Sequence, residues 1–143
     1  MRRSRSAIRT QTCSKAQAHA RLAHARKFLE VAEMTAGETG DAEYASAAAT
    51  LAVLAGIAAS DAACCAALGR RSRGEDHRQA TGLVEQVAPG GARAANALRR
   101  LLNLKDDAQY GFFDVGGQDL RSALRQAKVL VDFATKVVQR QPA

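Results

Sequence analysis

Leu51-Ala52-Val53-Leu54-Ala55-Gly56-Ile57-Ala58-Ala59-Ser60 continues into Asp61-Ala62-Ala63-Cys64-Cys65-Ala66-Ala67-Leu68 and is small or apolar on nearly every helical face. A helix that is apolar all round is a buried one. The reading therefore predicts one long helix, from about residue 42 to 68, as the central element of an all-helical fold. Gly56 and Ser60 lie four apart and offer a flat strip for another helix to approach. Asp61 interrupts this surface, and a buried carboxylate is costly without a partner. His77, Arg70, Arg71 and Arg73 are the partners expected for it.

The flanking segments carry helical periodicity. Upstream, Ser14 caps a helix running to about Met34, with Ala18, Leu22, Ala25, Leu29 and Ala32 forming one apolar stripe. Gly37 ends that helix and Asp41 caps the next. Downstream, Gly69 stops the central helix before a basic loop, Arg70 to Arg73. A third helix is expected over about 75–87, and Pro89-Gly90-Gly91 is a turn. A fourth helix starts near Ala92 and breaks near Tyr110-Gly111. A loop from Phe112 to Gly117 leads to a last helix over about 119–139, with Leu120, Leu124, Ala127, Leu130, Val131, Ala134 and Val138 inward. No strand alternation or repeat is visible. The expected architecture is an up-and-down bundle of about five helices spanning residues 14–140, preceded by a disordered basic arm, residues 1–13.

Composition agrees. The 143 residues suit one domain, and aromatics are only 4% with no tryptophan, so Leu, Val, Ile and Ala must build the core. Alanine is the best helix former and lets helices approach closely. The formal charge is +7, with arginine dominating the basic set. Arginine suits bidentate phosphate contacts, so RNA, DNA, a nucleotide or an acidic protein is the expected partner class. Charge spread over solvated faces is the plainer alternative.

Cys13, Cys64 and Cys65 supply no disulfide framework and no CxxC spacing, which predicts a reduced cytoplasmic protein without a zinc site. No apolar run reaches the ~18 residues of a membrane span without polar breaks, so no membrane association is expected. No Gly-rich phosphate loop, GxSxG or metal-ligand spacing appears, and no cofactor is expected.

Three local patterns carry a family likeness. They are the alanine-rich stretch from Tyr44-Ala45-Ser46-Ala47-Ala48-Ala49, the polar segment Ser72-Arg73-Gly74-Glu75-Asp76-His77, and Leu104-Lys105-Asp106-Asp107-Ala108-Gln109-Tyr110-Gly111. With the helix order over about 15–139, they resemble the HEPN domain, a small helical bundle of RNases, toxins and nucleotide-binding proteins. The resemblance implies a bacterial-type homodimer, with RNA, a nucleotide, or an acidic or nucleotidyltransferase-type protein as partner. In catalytic members an Arg followed a few residues later by a His, near the fourth helix, meets its twin across the dimer and cleaves RNA without metal. Histidine titrates where a 2′-hydroxyl can be deprotonated, and arginine steadies the phosphorane charge.

At that place this chain has Lys105 and Tyr110 instead. Tyrosine, with a pKa of about 10, is a poor base at neutral pH. The Arg-to-His spacing recurs at Arg71 and His77. The expectation is a binding or accessory module in which Arg70, Arg71, Arg73, His77 and Lys105 face phosphate, supported by Asp61, Asp76 and Tyr110. One alternative is a toxin-type endoribonuclease with His77 as acid/base and Arg71 on the phosphate. Another is a structural dimerisation module. His77 also reads simply as a helix-start residue, and Lys105-Asp106-Asp107 as a solvated helix end.

Overall fold

Alanine decides how closely this chain can pack. In the computed structural model, residues 9–38, 42–73, 77–110 and 116–140 are described, the side chains of 106–110 excepted. The elements are β1 (Thr10–Thr12), α1 (Lys15–Ala36), α2 (Ala42–Leu68), β2 (Arg70–Ser72), α3 (Arg78–Glu85), α4 (Gly91–Tyr110) and α5 (Gly117–Arg140). The fold is an all-α bundle, with five helices among the described residues. α2 lies between α1 and α5 and also meets α4, while α3 packs on α4.

The expected stripe of α1 is the one it buries: Ala18, Leu22, Ala25, Leu29 and Ala32. Ser14 caps the helix reciprocally with Gln17. Ser14 Oγ accepts from Gln17 N at 3.1 Å, and Ser14 N donates to Gln17 Oε1 at 2.8 Å. Such a cap stabilises a helix start by about 1 kcal/mol. On α2 the buried set is mostly alanine, with Val53, Cys64 and Cys65. Gly56 explains the close crossing: a Cβ there would collide with Leu101 Cδ1 of α4 and sit 3.1 Å from Leu130 Cδ1 of α5. α5 turns Ala127, Leu130, Val131, Ala134 and Val138 inward as expected, adding Ala123 and Val137. Leu120 and Leu124 are only half-buried.

α2 is long and apolar enough on average to cross a membrane even with its polar breaks, so the expected lack of an unbroken apolar run of ~18 residues does not exclude a segment of that kind. Ser60 and Asp61 break its apolar character too little. Its role here is that of a core helix, with 67% of the apolar stretch buried inside the bundle.

Two further corrections concern the start of the chain. Residues 9–13, expected within a disordered arm, are ordered, and the expected basic loop 70–72 is a strand. β1 pairs antiparallel with β2, with Thr10 opposite Ser72, Gln11 opposite Arg71 and Thr12 opposite Arg70. Gly69, at φ +71°, makes the reversal from α2 into β2. Cys13 N donates to Gly69 O at 3.0 Å and Arg73 N to Arg9 O at 2.8 Å, lengthening the ladder at both ends.

The cysteine expectation is also overturned, because Cys13 and Cys65 form a disulfide. The vicinal pair Cys64-Cys65 suggested no bridge, but Cys65 faces the start of α1, where β1 delivers Cys13. Cys64 is the free, buried cysteine. The caps assigned to Asp41, the Glu75-Asp76 helix start and the 112–115 loop lie outside the described residues.

Candidate functional site

Asp61 sits on α2 one turn before Cys65, with its side chain 13% exposed. Its partner is Arg21 of α1, whose Nη2 donates to Asp61 Oδ2 at 3.1 Å. The requirement for a partner was readable in the sequence, but its identity was not. Arg21 lies 40 positions away, on the shoulder of the α1 stripe between Ala18 and Ala25. Burial raises the Asp61 pKa above its ordinary value. The charge and hydrogen bond of Arg21, then the charges of Arg71 and His77, pull it part of the way back.

Arg71 enters the same place from β2. Its Nη2 donates to Gln11 Oε1 at 3.2 Å across the strand pair, and its Nη1 to Ser72 O at 3.3 Å. Together these groups line an open pocket of about 400 Å³ whose wall includes Gln11, Gln17, Arg21, Asp61, Arg71 and the Cys13–Cys65 bridge. Each guanidinium is held by one or two hydrogen bonds and keeps further N–H donors for a ligand. The site is cationic, with two guanidiniums around one carboxylate.

The remaining candidates fall elsewhere. Arg70 is half-buried on β2 and donates to Gln86 Oε1 at 3.2 Å; Arg73 follows the strand and is exposed. His77 and Lys105 line a separate hollow of about 170 Å³ between α2 and α4, floored by Thr50, Val53, Leu54 and Ile57. The structure thus brings Arg71 to Asp61 and His77 to Lys105, and gives Arg71 and His77 different hollows. Both of them still act on the Asp61 carboxylate. His77 precedes α3 without capping it through its side chain. Asp76 and the Tyr110 side chain lie outside the described residues. Arg99 of α4 is paired with Glu85 of α3 at 3.0 Å.

Sequence reasoning missed Arg21, Gln11 and Gln17. Gln11 is an exposed polar residue in a segment without periodicity, and nothing in the sequence signals its position. Basic side chains also line a third hollow of about 460 Å³, where Arg93, Lys136 and Arg140 join Phe133 and Asp132.

No protein-family model matches this chain, and no curated protein matches it either.

Proposed function

We propose that the protein binds RNA or a nucleotide through its phosphates at the Arg21–Asp61–Arg71 pocket, as a non-catalytic accessory module. One observation carries this reading: two guanidiniums pre-oriented by their own hydrogen bonds converge on one open pocket. Fixing a long side chain beforehand removes entropy that binding would otherwise cost. Arg70 and Arg73, beside Arg71 in the chain, extend the cationic surface, and the +7 charge favours encounter with a polyanion.

The same reading keeps the homodimer. Val31 and Met34 of α1, with Tyr44 and Leu54 of α2, are large apolar side chains left exposed among the described residues, and a second copy is the occupant assigned to them. A cytoplasmic setting suits an RNA-associated protein, and there a disulfide is characteristically a reversible one.

The test is binding of a short labelled single-stranded RNA over a salt series, by wild type and by Arg71→Ala. Affinity that falls steeply with salt, with a slope shallower by about one unit in the variant, supports the reading. Salt-independent binding, or an unchanged slope, overturns it.

A further inference from the structure

We propose that the Cys13–Cys65 disulfide is a reversible clasp, opened by a dithiol reductant, whose opening takes down one wall of the Arg21–Asp61–Arg71 pocket. The effect on ligand affinity rests on the binding reading above; the release of β1 does not.

Gln11, Thr12 and Cys13 all belong to the pocket wall. Apart from the bridge, the described attachments of this segment are a ladder of three residue pairs, the two backbone hydrogen bonds at its ends and a few polar side-chain contacts. A two-stranded ribbon is marginal by itself. Gln11 and Thr12 are exposed and Thr10 is only half-buried, so no large apolar side chain anchors the strand. Cys13 is its apolar contact with the core, and Ser14 already belongs to the cap of α1. Residues 9–13 can therefore leave the bundle by rotation ahead of Ser14 without disturbing a helix.

The bridge is also reachable. Both cysteines line the open pocket, Cys65 at 2% exposure and Cys13 half-buried. Attack therefore falls on Cys13 Sγ, and neighbouring guanidiniums favour an incoming thiolate. The reductant's first thiolate bonds to Cys13 Sγ and expels Cys65 as thiolate, which takes a proton from water. The reductant's second thiolate attacks its own sulfur in that mixed disulfide and releases Cys13, which is protonated in turn. The protein disulfide gains two electrons and two protons, and the dithiol becomes a disulfide. Cys64 does not intervene. Burial, reinforced by Asp61, pushes its thiol up to about 12 and keeps it protonated.

With β1 gone, Arg71 loses Gln11 and the pocket loses Gln11, Thr12 and Cys13 from its rim. Arg21 and Asp61, held by α1 and α2, stay in place. The binding site thus has one permanent wall and one redox-dependent wall.

The experiment compares the oxidised protein, the protein reduced with dithiothreitol, and Cys13→Ser, with Cys64→Ser as control. Amide hydrogen exchange is read at the ladder donors Gln11, Cys13, Arg71 and Arg73, the alternate amides of an antiparallel pair, and binding of a labelled oligouridylate is read in parallel. Circular dichroism checks that each sample keeps its helices. The expected result is accelerated exchange at these amides and affinity about tenfold weaker in the reduced and Cys13→Ser samples, with Cys64→Ser like wild type. Retained protection in helical, reduced protein overturns the clasp, as does a purified protein in which all three cysteines label as free thiols. If the oxidised protein binds no RNA, the binding reading fails, and exchange alone decides the clasp.

Discussion

Gln11 and Arg71 stand opposite each other in the β1–β2 pair, and the Gln11 side-chain oxygen accepts from Arg71 Nη2 at 3.2 Å. The contact is exposed, so its value lies in orientation more than in stability. Gln11→Ala should leave the unfolding midpoint nearly unchanged and weaken RNA binding by about threefold to tenfold, the size of one ordinary hydrogen bond. Fluorescence polarisation beside a denaturant melt measures both. Equal affinity in wild type and variant would mean that the guanidinium needs no positioning.

Asp61 makes a pH-dependent prediction. Burial raises its folded pKa above the ordinary 3.8, so the folded protein holds that proton more tightly than the unfolded chain does. The stability this contributes is fully present below pH 3.8 and is lost as the pH rises through the raised value. Asp61→Asn should therefore match wild type in acid and be the more stable near neutrality, despite losing the Arg21 pair. Urea unfolding of both proteins across that range checks it. A variant weaker than wild type at neutral pH would show that Arg21 and Arg71 outweigh desolvation.

What was legible in the sequence follows from the range over which each signal acts. The α1 stripe and the all-round apolar α2 are local periodicities, and both appear where they were expected. The close approach at Gly56 follows from a missing side chain. β1 is three residues with no period to detect, and its partner strand lies sixty positions away. Cys13 and Cys65 are 52 apart and meet only because Gly69 turns the chain back past the start of α1. Asp61 announced its need for a cation, but Arg21 became that cation only when α1 settled on α2. Arg71 and His77 both act as charges on Asp61, as the sequence suggested, but only Arg71 shares its pocket, while His77 lines the neighbouring hollow with Lys105.

Cysteine chemistry gives a direct count. A Cys64 thiol pushed up to about 12 is almost wholly protonated at pH 8. Iodoacetamide should modify no cysteine in the folded, oxidised protein, one after unfolding without reductant, and three after unfolding with reductant. Intact mass spectrometry reads the additions. Reduction should also lower stability by about 4 kcal/mol in the loop-entropy account for a closure of this length, and by less where the reduced, unfolded chain keeps structure. Modification of Cys64 in the native protein would mean that α2 opens locally at that turn.

Gly56 tests the helix packing beside the hollow that His77 and Lys105 line, because it sets how closely α4 and α5 approach α2. Gly56→Ala gains about 1 kcal/mol in helix propensity. Its Cβ also meets Leu101 Cδ1 and Leu130 Cδ1 in a core where both leucines are at most 1% exposed. Overpacking of this kind costs about 1–3 kcal/mol, so the net expectation is a loss of up to about 2 kcal/mol. Leu101→Val alone should also destabilise, by removing a methylene from a filled core. In the double variant the shortened side chain at 101 vacates the space that the new methyl needs. The two losses should then sum to less than their separate values, with a favourable coupling of about 0.5 kcal/mol or more. Strict additivity in denaturant melts would mean that α4 retreats as a rigid body when Gly56 is filled. In that case Thr50, Leu54 and Ile57 would separate from Lys105, and the hollow that His77 lines would widen.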